Sequence, residues 1–93
     1  MKLSEVNNEK IMAFCGISDD DSGLYLLCAD AAKSFIRNYT GLDDESMDKY
    51  EDITFAYLVI VNDMYTRRDY ATDNIDINPT AAQILDSHRV NLL

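Results

Sequence analysis

Phe55-Ala56-Tyr57-Leu58-Val59-Ile60-Val61 is a run of seven apolar residues, and whether it forms a strand or a helix decides the fold. Propensity alone suits a buried strand, because Phe, Tyr, Val and Ile are enriched there. The flanks favour a helix. Apolar character continues through Met64 and Tyr65, which outruns a typical strand of about five or six residues. Glu51 and Asp52 open the segment and Arg67 and Arg68 close it, an order that complements a helix macrodipole. The expectation is a helix from Glu51 to Arg68, apolar on all sides in its middle. Such a helix is buried over most of its circumference. In a small chain it is either the central helix or one whose burial a partner subunit completes. The run is far shorter than the roughly 20 residues of a membrane span, so no membrane partner is expected.

Working toward the N-terminus, Leu42 to Tyr50 reads as a charged, solvated connector holding Asp43, Asp44, Glu45 and Asp48. Before it, Ser22 to Tyr39 has a helical period. Leu24, Leu27, Cys28, Ala31, Phe35 and Tyr39 fall on one stripe at spacings of three and four. Asp19, Asp20 and Asp21 precede this helix, Lys33 and Arg37 lie near its end, and Gly41 stops it. A first short helix spans Asn8 to Cys15. Asn7 is a suitable N-cap and Ser4 a rival start. Val6 and Ile11 occupy the positions of a hydrophobic staple. Ile11, Phe14 and Cys15 form the apolar face, and Gly16 supplies the left-handed stop.

Toward the C-terminus, Asp69 to Ile77 has no helical period and reads as a loop, with a short extended piece through Ile75 and Ile77 as one option. Asn78 followed by Pro79 is a cap and first-turn pair. Ala81, Ala82, Ile84 and Leu85 then give a short fourth helix ending near Arg89, followed by the apolar tail Val90 to Leu93. With three Gly and one Pro in 93 residues, long segments run without punctuation. The expected class is all-α: one small domain, residues 1–93, of three main helices and a short C-terminal one.

Composition removes several function classes. Eight Lys and Arg stand against 17 Asp and Glu, a formal net charge of −9. Tight binding of nucleic acid needs cations in place of phosphate counterions, so it is not expected. The opening stretch MKLSEVNNEK lacks the apolar core of a secretory signal. Cys15 and Cys28 are therefore expected as reduced thiols, and the sequon Asn38-Tyr39-Thr40 as unused. Two thiols alone do not make a zinc site, and both lie on predicted core stripes.

The search for chemistry returns little. His88 is the one histidine, and beside Arg89 it reads as a surface residue. No Gly-rich phosphate loop is present. Asp19-Asp20-Asp21-Ser22-Gly23 invites a calcium loop. With Gly23 at the sixth position the twelfth is Ala29, and the bidentate acid is missing. Neither catalysis nor a cofactor is expected. Tyr25, Tyr39, Tyr57, Tyr65 and Tyr70 suit either an interface belt or the rim of the core. Arg67 and Arg68 suit either dipole complementation or a subunit salt bridge.

Taken in order, these segments resemble a known family. A short helix leads to Ile17 and the acids Asp19-Asp20-Asp21. The next helix closes on Phe35-Ile36-Arg37-Asn38-Tyr39-Thr40-Gly41. An acidic link follows, then an apolar helix from Ile53 to Met64 running into Tyr65-Thr66-Arg67-Arg68. The set is similar to the small helical head–tail connector, or DNA-packaging adaptor, proteins of tailed bacteriophages and prophages. Tyr39-Thr40-Gly41 matches the family's closing Tyr-Thr-Gly, and Tyr65 to Arg68 its Tyr-x-x-Arg. Ile84-Leu85 through Arg89 is a looser match. Gly16 stands where the family has a basic residue before the Ile.

The resemblance implies a non-catalytic structural protein without cofactor. It would assemble as a homo-oligomeric ring on the portal protein and extend the channel through which duplex DNA passes. It would also dock a downstream neck or tail protein. The implied location is the virion neck, after assembly in the bacterial cytoplasm. Rings use two different faces per subunit. Tyr57, Tyr65, Arg67, Arg68, Tyr70 and Leu92 are the candidate subunit or partner contacts. Asp19, Asp20, Asp21, Asp43, Asp44 and Glu45 are the candidate acids facing channel or solvent. Residues 1–52 carry five bases and twelve acids, and residues 53–93 three and five. The acidic half is thus expected to face DNA or water, and the second half to make more of the protein contacts. The competing expectations are an acidic DNA mimic that binds a basic protein, and a helical regulatory module with a peptide groove.

Overall fold

The structure is a computed structural model that describes residues 2–16, 24–67 and 78–89. Among these residues a 3-10 turn, Leu3–Glu5, precedes five α-helices. These are α1 (Asn8–Cys15), α2 (Leu24–Thr40), α3 (Asp44–Met47), α4 (Glu51–Arg67) and α5 (Pro79–Ser87). No strand occurs among the described residues, so the all-α class stands, with α4 as the helix expected from its length and end charges.

α4 is the central helix. α1, α2, α5 and the N-terminal 3-10 turn all pack against it. Ile53, Thr54, Ala56, Tyr57, Leu58, Ile60, Val61 and Met64 are buried, which covers most of its circumference. Phe55 and Thr66 remain exposed and Val59 and Asn62 half-buried, a strip at helical spacing on the outer side.

The local stop and start signals formed as expected. The Asn7 side chain accepts from the Lys10 N–H at 2.9 Å, and Gly16 ends α1 at φ 70°. Only glycine takes that left-handed angle without strain. At α5 the Asn78 side chain accepts from the Thr80 N–H at 2.8 Å, with Pro79 in the first turn. α2 ends on Thr40, fully buried, whose hydroxyl donates to the Ile36 carbonyl at 2.7 Å and accepts from the Leu42 N–H at 3.2 Å. The sequon threonine is therefore a core residue.

Three expectations are corrected. First, α2 is rotated. Its buried face is Tyr25, Cys28, Ala29, Ala32, Ile36 and Thr40, while Leu27 of the expected stripe is 62% exposed. Ala29 and Ala32 put little side-chain bulk on this buried face, which suits close packing of neighbouring helices. A leucine there would hold them apart. Second, Phe14 of the expected α1 face is 42% exposed, and Ile11 alone of that helix is buried. Third, the connector is not wholly solvated. It contains α3, and Met47 is fully buried. The Asp43 side chain caps this turn by accepting from the Ser46 N–H at 2.8 Å, and Asp48 accepts from the Ser4 N–H at 2.9 Å. The connector is thereby pinned to the N-terminal turn. The expected start at Ser22, the loop at Asp69 to Ile77 and the tail Val90 to Leu93 lie outside the described residues.

The rotated register gives a direct stability test. Ile36→Ala is expected to cost about 2–5 kcal/mol, whereas Leu27→Ser should stay within about 0.5 kcal/mol. Urea unfolding followed by helical circular dichroism measures both. Equal losses would restore the stripe through Leu27.

Candidate interaction surfaces

The candidate residues divide by where the fold puts them. Tyr25 and Tyr57 are each 4% exposed and belong to the core. Burial pushes the Tyr57 hydroxyl up to about 12, with Asp30 and Cys15 adding smaller contributions. Tyr57 therefore has no free surface to offer a subunit. Tyr65 is half-buried against the core. Arg67 is the last residue of α4, while Arg68, Tyr70 and Leu92 lie outside the described residues.

Of the candidate acids, Asp19, Asp20 and Asp21 lie outside the described residues, whereas Asp43, Asp44 and Glu45 are exposed on α3 and its cap. Their charge is not idle. The bond from the Ser46 backbone N–H, and then that from its side chain, hold the Asp43 carboxyl below its ordinary range. The bond from Ser4 does the same for Asp48. Asp44 receives the Arg37 guanidinium at 2.7 Å from Nη2 and 3.2 Å from Nε. That pair ties α3 back to α2, although its exposure limits what it contributes.

Sequence reasoning missed a cluster of rings and carboxylates where α2, α4 and α5 meet. The Tyr39 hydroxyl donates to Asp86 Oδ1 at 2.5 Å, and the Arg89 guanidinium lies 5.3 Å from the Tyr39 ring centre. Phe35, one helical turn back, stacks on Tyr39 with ring centres 5.5 Å apart. The bond to Asp86 is the main cause holding the Tyr39 hydroxyl protonated above its ordinary range. His88 is not the free surface residue expected. Its Nε2 lies 2.8 and 2.9 Å from the two Asp52 oxygens, and its ring stacks on Tyr50 with centres 4.1 Å apart. A carboxylate only accepts, so Nε2 carries the proton and donates. No local pattern announces these pairs, which join residues 36 and 47 positions apart.

The exposed apolar side chains form the other notable surface. Phe14 on α1 and Phe55 on α4 are 42% and 47% exposed and meet edge to face, 6.3 Å between centres. Phe55 belongs to the uncovered strip of α4. Leu26 and Leu27 are exposed on α2. Neither cysteine is in a disulfide; Cys28 is buried and Cys15 half-buried. Burial, and then the neighbouring Cys28, push Cys15 up to about 11, which leaves it protonated and weakly nucleophilic. No group of three or more His, Cys, Asp or Glu is placed to hold a metal among the described residues. No described helix is long and apolar enough to cross a membrane. Comparison with protein-family models, curated proteins and solved structures finds no match.

What these surfaces can do chemically is bind: aromatic edges and aliphatic side chains for apolar contact, and fixed carboxylates for cations. The carboxylates also set a pH response. Asp43 and Asp48 have folded-state values below the ordinary 3.8, so their contribution is present above that pH. It is lost as pH falls through the lower folded values. Asp48→Asn is expected to flatten the acid side of the stability curve below about pH 4. Urea midpoints between pH 2 and 6 measure this, and an unchanged acid slope would show that Asp48 does not pin the connector.

Proposed function

We propose that this chain is a structural, non-catalytic assembly protein: a head–tail connector subunit of a tailed phage or prophage. It forms a ring on the portal, prolongs the DNA channel and receives the next neck or tail component. The observation that carries the reading is large apolar side chains left uncovered on separate helices of a small all-α domain. Phe14 and Phe55 lie on α1 and α4, and Leu26 and Leu27 on α2. A ring requires two unlike faces per subunit, and uncovered apolar side chains on three helices supply material for both.

Three further features support it. The helices follow the order expected from the resemblance, and Tyr39-Thr40-Gly41 closes α2. Asp43, Asp44 and Glu45 are exposed, as acids facing solvent or a DNA channel would be. Carboxylates in a channel wall repel phosphate, so the duplex passes without being held. The acidic-mimic alternative draws on the same charge, but the bonding of Asp43 and Asp48 to backbone N–H groups and of Asp44 to Arg37 makes them less available as phosphate stand-ins.

Native mass spectrometry of the purified chain, alone and co-expressed with a portal protein, tests the proposal. The expected result is a cyclic oligomer or a portal-bound complex, weakened by Phe55→Ser with the helical spectrum intact. Salt-sensitive one-to-one complexes with a basic protein, and no portal association, would favour the mimic instead.

A further inference from the structure

We infer that the closing turn of α5 is a latch, and that α5 is a strap that opens while the rest of the fold stays intact. The inference needs no particular partner and does not rest on the connector reading.

α5 has nine residues. A helix below about 12–15 residues is marginal on its own in water, so α5 persists only while docked. Two of its side chains, Ala81 and Leu85, are fully buried. Ile84, half-buried, packs against the same core, and the rest of the hold, in and just beyond the last turn, is polar. Asp86 takes the Tyr39 hydroxyl, His88 donates to Asp52 while stacked on Tyr50, and Arg89 lies over the Tyr39 ring. Asp86, Asp52, Tyr50 and Arg89 are all exposed, so water competes for every one of these contacts. Each is weak alone, yet together they fasten α5 to the end of α2 and the start of α4. α2 and α4 are secured differently, through Ile36, Ile53, Ile60 and Val61, which are buried almost completely.

α5 therefore opens more easily than α2 and α4, because it has fewer buried apolar side chains than either and a larger share of its hold is solvated and polar. Release of the latch undocks Ala81 and Leu85 and bares the apolar side of α4 that they cover. The closed chain hides that surface and the opened one presents it.

Hydrogen exchange followed by mass spectrometry on the full chain tests this. Amides of residues 80–89 are expected to exchange well before those of α2 and α4. His88→Ala should speed them by roughly tenfold and leave α2 and α4 unchanged, and Tyr39→Phe, which removes only the hydroxyl, should act in the same direction. His88→Gln, which keeps an N–H donor for Asp52, should restore part of the protection. The latch is refuted if α5 exchanges together with α2 and α4 in the native chain. It is equally refuted if His88→Ala and Tyr39→Phe speed all helices by one common factor.

Discussion

The structure depends on burying one helix. α4 is apolar on nearly every side, and a chain of 93 residues has little material with which to cover it. Desolvating those side chains is the main favourable term available to a domain of this size. α1, α2, α5 and the N-terminal turn can each be understood by the sector of α4 it covers. α2 brings a face that includes small residues. α1 contributes Ile11, the N-terminal turn contributes Leu3, and α5 contributes Ala81 and Leu85. What remains uncovered is the strip that includes Phe55, and Phe14 covers part of it.

How much of this was legible from the residues depends on the range of the interaction. Caps and stops act within one turn, so Asn7, Gly16 and the Asn78–Pro79 pair could be placed from their immediate neighbours. The helix through Phe55 to Val61 needed only its length and end charges. The face of α2 was harder. Period 3.6 marks a helix, but Leu26 and Leu27 advertise one side and Ala29 and Ala32 another. Hydrophobicity favours leucine inside, whereas close approach to α4 favours alanine. The choice is made by the partner helix and cannot be seen in α2 alone.

The connector and the α5 closure were illegible for different reasons. α3 is a single turn, too short to show a period, and its buried Met47 is surrounded in sequence by acids that point outward. The bonds from Tyr39 to Asp86 and from His88 to Asp52 span large sequence distances, and neither partner carries a local signature. The candidate surface fared unevenly. The acids at Asp43 to Glu45 are exposed, the tyrosines split between core and surface, and Phe14, on the expected apolar face of α1, is exposed beside Phe55.

That split of the tyrosines makes the chain its own spectroscopic reporter. There is no tryptophan to dominate the near-ultraviolet, and six tyrosines share the signal. Tyr25 and Tyr57 sit in the packed core, where a fixed, asymmetric setting gives strong circular dichroism. Tyr50 lies at the surface against His88. Loss of tight packing around α4 would erase the core bands before helical content falls. Ordered and molten forms of this protein can thus be told apart without any introduced label.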